Sequence, residues 1–240
     1  MSTLKTLDDL DVSEKRVLLR VDLNVPLDGT KVRDTTRIDA ILPTVNELLD
    51  KNAAIILLSH MGRPKGAVVP EMSLLPVVTV LAEKIGKPVK FITTNWCDNN
   101  AAEAAQQMQP GDIVVMENTR FHPGEESNDP GLIKKLEMLG DLYVDDAFSA
   151  AHRAHASTHG IARVLPAAAG RAMQKELDAL ALALGNPQRP LVAVIGGAKI
   201  SSKLDLIGNL CNKVDTLIIA GAMANTFLDT GYRDGQPEAA

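Results

Sequence analysis

The chain has 240 residues, of which 45% are hydrophobic and 23% charged, a composition typical of a folded globular protein and not of a disordered one. Its formal net charge is −5, from 25 basic and 30 acidic residues, which argues against sequence-independent binding to DNA or RNA. Aromatic residues make up only 3%, so the core must consist of Val, Ile, Leu and Ala, as in parallel sheets covered by helices on both faces.

Strand-like and helix-like segments alternate along the chain. Residues 16–21 form a short apolar run rich in Val and Leu, which is typical of a buried strand. Residues 34–51 carry a helical apolar stripe, in which Pro43 predicts a kink or a lost backbone hydrogen bond. The later predicted elements are strand 53–58, helix 73–85, strand 89–92, helix 101–108, strand 113–116, helix 130–139, strand 142–144, helix 171–184, strand 191–195, helix 199–211 and strand 216–220.

This alternation predicts parallel sheets joined by right-handed crossovers, and therefore an α/β fold. We expect a Rossmann-like, three-layer αβα domain over residues 1–170, a connecting helix over residues 171–185 and an incomplete second α/β domain over residues 186–240. The last part is too small to close a sheet, so we expect exposed apolar surface and low stability there.

The ends and the cysteines give weaker information. No charged-then-apolar segment begins the chain and no apolar run approaches about 18 residues, which predicts a soluble, cytoplasmic protein without a membrane partner. Cys97 and Cys211 lie far apart and lack metal-ligand spacing, so we expect reduced, packed thiols.

Polar side chains that require an explanation follow four of the predicted strands. They are Asp22 and Asn24 after the first, His60 and Arg63 after the second, Arg120 and His122 after strand 113–116, and His152, Arg153 and His155 after strand 142–144. The carboxyl ends of parallel strands are where open α/β sheets bind ligands. Because an Arg side chain can hold a phosphate or carboxylate at two points, this gathering predicts a site for a small, highly charged anion.

Each of these residues also has an ordinary structural explanation. An Arg after a strand is usually a solvated ion-pair partner, a lone His is more often structural than catalytic, and Asp22 and Asn24 can close a turn on their own backbone. Their coincidence at one end of the strands favours a binding site, because surface charges without a function would scatter over both ends.

Five motifs in order resemble the phosphoglycerate kinase family. They lie at residues 20–26, 59–64, 117–126, 146–155 and 196–203, and the resemblance extends from about residue 4 to about residue 228. Residues 217–223 depart from the usual triple glycine of the family, and residues 229–240 show no match. The resemblance implies a monomeric, two-lobed enzyme of glycolysis that moves a phosphoryl group reversibly between 1,3-bisphosphoglycerate and Mg-ADP, with magnesium brought by the nucleotide.

The resemblance also implies roles for individual residues. The implied substrate-binding residues are Asp22, Leu23, Asn24, Arg37, His60, Met61, Gly62, Arg63, Arg120 and Arg153. Asp22 and Asn24 would hold the hydroxyl and carboxyl end of 3-phosphoglycerate, and Arg37 would face the carboxyl oxygen that accepts the phosphoryl group. The residues that would bind the phosphate are His60, Arg63, Arg120 and Arg153. His152 and His155 would support this basic patch without touching substrate.

For the nucleotide, the resemblance implies binding by Gly197, Ala198, Lys199 and Lys203, with Arg37, Lys199 and Lys203 as the catalytic cations. Residues 196–199 match neither GxxxxGK[ST] nor GxGxxG, so alone they predict an ordinary strand-to-helix turn. A helix over 199–211 would place Lys199 and Lys203 on one face, where like charges repel unless an anion lies between them. No general base is needed, because the reacting groups are already anions.

Family members are longer than 240 residues, so the resemblance implies a fragment that lacks the later part of the nucleotide domain. We expect weak binding of 3-phosphoglycerate without turnover. Two other functions stay open: a non-catalytic anion-binding module, and a dinucleotide-dependent oxidoreductase, which the missing glycine fingerprint disfavours. The remaining acidic residues of these motifs are expected to be solvated loop charges or helix caps, in preference to metal ligands. They are Glu125, Glu126, Asp145 and Asp146.

Overall fold

The computed structural model describes residues 4–93, 99–185, 187–197, 200–201, 203–229, 232–233 and 236–237. The chain divides into two compact units, Met1–Leu177 and Asp178–Ala240. The division falls within the helix that the sequence predicts as a connector.

Strands and helices alternate through both units. The strands are β1 Arg16–Arg20, β2 Leu27–Asp28, β3 Lys31–Val32, β4 Ala54–Leu58, β5 Lys90–Ile92, β6 Ile113–Met116, β7 Leu142–Asp145, β8 Ala167–Ala169, β9 Val192–Gly196, β10 Thr216–Ala220, β11 Tyr232–Arg233 and β12 Gln236–Pro237. The helices are α1 Thr36–Asp50, α2 Leu75–Ile85, α3 Asn99–Gln106, α4 Pro130–Glu137, α5 Phe148–Ala151, α6 Arg171–Gly185, α7 Leu204–Cys211 and α8 Ala222–Asp229.

The first unit is built on a six-stranded sheet in the order β5-β6-β4-β1-β7-β8, with every neighbouring pair parallel. Alternate residues of the central strands enter two separate cores. Val17 and Leu19 pack on the face covered by α1 and α2, and Leu18 packs on the face covered by α4. Because both faces are covered, β4 is buried along its whole length. The predicted α/β class with helices on both sides of a parallel sheet is confirmed.

Helix α1 runs through Pro43 without ending there. Thr35 occupies the N-cap position without a side-chain cap, while the Asp34 carboxylate accepts a hydrogen bond from the backbone N–H of Thr36 at 2.7 Å. The apolar face of α1 buries Ile38, Ile41 and other residues against the sheet. This packing stabilises the helix despite the proline.

In the second unit, β9 and β10 form a two-stranded parallel sheet, accompanied by α7 and α8. Apolar side chains stay exposed here, as expected: Val194 is 65% accessible and Leu228 is 62% accessible. Two predictions are wrong. Helix α7 begins at Leu204 instead of residue 199, and Cys211 is exposed instead of packed. Cys97 lies outside the described residues. None of the described helices is long and apolar enough to cross a membrane.

Candidate functional site

Four loops that carry the predicted polar residues lie at one edge of the sheet. They follow β6, β4, β1 and β7, which are consecutive in the sheet order and parallel. Asp22 follows β1, His60 follows β4, Arg120 follows β6 and Arg153 follows β7 and α5. The structure therefore places these residues in one neighbourhood, where the sequence pattern expected them.

Asp22 is held by three donors. Its carboxylate accepts hydrogen bonds from the backbone N–H of Asn24 at 3.0 Å and from the Ser149 hydroxyl at 2.5 Å, and it forms an ion pair with Arg37 from the first turn of α1. Burial opposes ionisation, but these hydrogen bonds and the Arg37 charge hold the pKa of Asp22 below its usual value. Asp22 is thus an ionised carboxylate beside an arginine that is half exposed.

Gly62 joins two of the predicted site residues. Its N–H donates to the Asn24 side-chain oxygen at 3.0 Å, and its carbonyl accepts from Arg120 Nη1 at 2.8 Å. Gly62 has a φ of +62°, and a Cβ atom at this position would lie 2.7 Å from the Met72 sulfur. Only a residue without a Cβ atom adopts this backbone conformation without strain and without displacing the Met72 side chain.

Asn118 holds the loop after β4, which contains Met61 and Gly62, through its side-chain amide. Its side-chain nitrogen donates to the carbonyls of Met61 and Met72, each at 2.8 Å, and its side-chain oxygen accepts from the Arg120 N–H at 3.0 Å. Asn118 is fully buried and was not among the site residues expected from the sequence. The side chains of Met61 and Leu23 both belong to the core. The backbone N–H of Leu23 donates to the Ser59 hydroxyl. Met61 and Leu23 can meet a ligand only through backbone atoms.

His60 is buried and lies beside Arg20, whose Nη2 is 3.0 Å from His60 Nδ1. Burial, followed by the charges of Arg20 and Arg120, lowers the pKa of His60 to about 3. His60 is therefore uncharged at neutral pH. It adds no positive charge to the site, because three neighbouring arginines and burial oppose protonation of the ring.

Arg20 is the largest fully buried side chain and was missed as a site residue. Its Nε donates to the Ser157 hydroxyl at 3.0 Å, and that hydroxyl donates to Glu125 Oε1 at 2.5 Å. Glu125 also accepts from the Ser157 N–H at 3.0 Å and has no solvent exposure. The prediction that Glu125 is a solvated charge or cap is wrong, because it is the buried end of this chain of hydrogen bonds.

Arg120 and Arg153 supply positive charge near His60. Arg120 is only 4% exposed, and its Nε lies 3.2 Å from Glu126 Oε1. Burial and the neighbouring Arg153 charge lower the pKa of Arg120, against the effect of Glu126. Arg153 also acts on His60, so the three residues share one electrostatic environment. Arg63 is exposed, and no described residue forms an ion pair with it.

His155 and Asp146 are held by contacts within the protein. His155 is buried 4.0 Å from Glu125, and burial lowers its pKa although Glu125 opposes the shift. His152 is exposed. The Asp146 carboxylate accepts from the N–H of Met173 at 3.0 Å and so caps α6, as predicted, while burial raises its pKa. Among the described residues, no group of three His, Cys, Asp or Glu side chains is arranged to hold a metal ion.

On the second unit, the structure gives part of the predicted nucleotide segment. A Cβ atom at Gly197 would lie 3.1 Å from the Lys203 Cε, so the lysine stem passes close over this glycine. Lys203 precedes the first turn of α7. Lys203 is therefore not on a helical face, contrary to the predicted helix over 199–211. Ala198 and Lys199 themselves lie outside the described residues.

Comparison with known proteins points to one family. A family model described as phosphoglycerate kinase matches residues 7–236, beyond the residue at which the sequence resemblance was expected to stop. Phosphoglycerate kinases of Ruegeria sp. and Zymomonas mobilis are each 58% identical over 225 residues, covering 93% of this chain and 56% of the relative. The chain thus spans little more than half the length of the curated relatives it matches.

Solved structures agree with this result. The phosphoglycerate kinase of Coxiella burnetii is 42% identical with a TM-score of 0.83, and that of Pyrococcus horikoshii is 31% identical with a TM-score of 0.84. Each match covers 96% of this chain and 58% of the solved one.

Proposed function

The chain belongs to the phosphoglycerate kinase family, and we propose that the basic edge of its six-stranded sheet binds 3-phosphoglycerate. The enzyme that contains this site would be a cytoplasmic, monomeric kinase of glycolysis, with Mg-ADP and 1,3-bisphosphoglycerate as substrates in one direction. Residues 1–170 would form the acid-binding domain, residues 171–185 the connecting helix and residues 186–240 part of the nucleotide domain.

The observation that carries the proposal is the convergence of cationic and N–H groups on one edge. Arg120 and Arg153 act on the same buried His60, and Gly62 connects Asn24 to Arg120. We assign the phosphate of 3-phosphoglycerate to Arg63, Arg120 and Arg153, with His60 as an uncharged partner. A doubly charged phosphate matches this surplus of guanidinium groups.

The acid end of the substrate would lie beside Asp22, Asn24 and Arg37. Asp22 is an ionised acceptor, suited to a substrate hydroxyl. The side-chain oxygen of Asn24 accepts from Gly62, and no described residue accepts from its side-chain N–H groups, which can therefore donate to a ligand. Arg37 stands at the exposed end of this group and would face the reacting carboxylate.

The reaction needs alignment and positive charge more than proton transfer. In the direction of acid phosphorylation, a carboxylate oxygen attacks the γ-phosphorus of ATP, the bond to the bridging oxygen breaks, and ADP leaves with the electron pair. Both reactants are anions, so no base has to remove a proton, and charge spreads over the three oxygens of the transferring group. Arg37 would supply positive charge at this point, together with Lys199 and Lys203 of the nucleotide segment, which also contains Gly197 and Ala198.

An activity assay on two proteins tests the proposal. The first is this 240-residue chain, and the second is a hybrid in which the chain replaces the matching part of the Zymomonas mobilis enzyme. Formation of ATP from 1,3-bisphosphoglycerate and Mg-ADP is expected for the hybrid and not for the chain alone. A well-folded hybrid without activity would favour the other candidate, an anion-binding module, and full activity of the chain alone would refute our expectation about its turnover.

A further inference from the structure

A buried relay of hydrogen bonds leads from Glu125 to the predicted phosphate ligand His60. Glu125 accepts from the hydroxyl of Ser157, the hydroxyl accepts from Arg20 Nε, and Arg20 Nη2 contacts His60 Nδ1. All four side chains are buried, and this relay of hydrogen bonds runs from the loop after β6 to the loop after β4. It thus joins two parts of the site that are distant in sequence.

The direction of each bond follows from chemistry. A guanidinium group has only donors, so Arg20 must donate to His60 Nδ1, and Nδ1 must be the unprotonated nitrogen of the ring. A neutral imidazole then carries its proton on Nε2. Nε2 has no hydrogen-bond partner among the described residues, so its N–H is the ring group that can donate to a ligand.

We infer that Glu125 and Ser157 are positioning residues, which hold Arg20 against His60 so that the ring is fixed as a neutral Nε2–H donor for the bound phosphate. The inference rests on the proposed function and gives Arg20, Ser157 and Glu125 a role that was not expected from the sequence. A fixed N–H donor can bind the anion without a change of protonation, whereas a free imidazole would exchange between two tautomers and a cation.

The surroundings of His60 keep it in this state. Arg20 reaches it from β1, Arg120 from the loop after β6 and Arg153 from the loop after α5, and Asp22 opposes them from the loop after β1. Protonation of Nδ1 would have to break its bond to Arg20 and place a further charge among these arginines. A phosphate ligand that contacts Nε2 therefore leaves the tautomer unchanged.

Nitrogen NMR of the imidazole rings in the 240-residue chain tests the inference without any ligand. The His60 signals are identified by their loss in His60→Gln. From about pH 6 to about pH 8, one protonated Nε2 and one unprotonated Nδ1 are expected, with no titration. A Nδ1–H tautomer or a protonated ring in this range would overturn the inference.

Ser157→Ala tests the relay itself. Without the hydroxyl, Arg20 keeps its bond from Nη1 to the Val21 carbonyl but loses the bond at Nε that fixes the plane of the guanidinium. The His60 nitrogens should therefore move toward averaged tautomer shifts, and the affinity for inorganic phosphate should fall about fivefold, as for one lost hydrogen bond. Ser73→Ala is the matched control, because it removes a hydroxyl that donates to Glu117 at 2.7 Å and has no contact with Arg20. The His60 signals should not change in that variant.

A second relay variant and the binding of 3-phosphoglycerate cover the cases in which Ser157→Ala does not fold or the site does not bind its proposed substrate. If Ser157→Ala does not fold, Glu125→Gln removes the strong acceptor of the same hydroxyl and should shift the His60 signals in the same direction. Unchanged His60 signals in a folded relay variant would contradict the positioning role. If the wild-type tautomer is as expected but 3-phosphoglycerate fails to bind, the proposed function fails and the relay does not.

Discussion

Arg37 and Asp22 form an ion pair, although one lies in the first turn of α1 and the other in the loop after β1. Asp22 is largely buried and held by Ser149, while the Arg37 side chain is 47% exposed. The two groups that we assign to the acid end of the substrate are therefore in direct contact with each other. The arginine is the more easily displaced of the two.

Replacing Arg37 should affect turnover more than binding. In the hybrid enzyme, Arg37→Ala is expected to lower kcat by about 10²-fold or more, because a charge that stabilises the transferring phosphoryl group is lost. The affinity for 3-phosphoglycerate should change little, since an exposed ion pair contributes at most about 1 kcal/mol. Steady-state kinetics and calorimetry measure the two quantities. An unchanged kcat would rule out the role of Arg37, and Arg33→Ala, an exposed arginine paired with Asp28, is the control.

Gly62 and Gly86 provide a matched test of the loop after β4. Both have positive φ, +62° and +73°, but a Cβ atom would strike the Met72 sulfur only at Gly62. Gly86→Ala should cost about 1 kcal/mol of stability from backbone strain and leave binding unchanged. Gly62→Ala should cost more and should also weaken 3-phosphoglycerate binding, because the loop bonded to Asn24 and Arg120 must move. Equal binding by the two variants would contradict this account.

Asp145 should make stability depend on pH. Burial raises its pKa to about 6, with the Ala147 N–H and Arg20 opposing the shift. Below about pH 4 the Asp145 carboxyl is protonated in both the folded and the unfolded state, so its burial does not lower the free energy of unfolding there. From about pH 4 to about pH 6 only the folded state keeps the proton, so stability falls as pH rises.

Asp145→Asn should therefore raise the unfolding free energy at pH 7 by on the order of 2 kcal/mol, and this gain should vanish near pH 4. Urea unfolding of both proteins at the two pH values measures the difference. A gain of the same size at both values would mean that the carboxylate charge is not the cause.

Arg171 should stabilise the start of α6 through geometry as well as charge. It contacts Asp8 at 2.7 Å and Glu47 at 2.6 Å, and these bonds raise its pKa. Lys cannot reproduce the planar fork, so Arg171→Lys is expected to lower the unfolding free energy by about 1 kcal/mol. Arg33→Lys, at an exposed pair, should change it by less than about 0.5 kcal/mol. Equal effects in urea unfolding would show that the fork is unimportant.

The sheet of the first unit could be predicted because its strands are short apolar runs that both faces of the sheet bury. The predicted strands 113–116 and 216–220 match the structure, and the other predicted boundaries, apart from the start of α7, differ by at most two residues. The start of α7 could not be predicted, because residues 199–203 carry no signal that separates a turn from a first helical turn. The short strand Ala167–Ala169 was missed because three alanines have no strand preference of their own.

The charged residues that were expected at the site could be predicted from their positions after strands. Arg20 could have been found as well, because a charge between Leu19 and Val21 in a buried strand requires a partner. The partner itself could not be predicted, since Glu125 lies in a loop and Ser157 in the short π-helix Ala156–Gly160, and neither segment has a pattern that shows burial. The uncharged state of His60 depends on three arginines brought together by the fold, so no local sequence feature shows it.

Calorimetric titration of 3-phosphoglycerate into the 240-residue chain tests the central claim most directly. We predict saturable binding, which Arg153→Ala should weaken at least about tenfold because a charge-assisted contact is lost. Arg163→Ala, which removes a guanidinium that contacts only His159 among the described residues, should leave binding unchanged. No binding by the folded chain, or equal loss in both variants, would contradict the assignment of this edge as the acid-phosphate site.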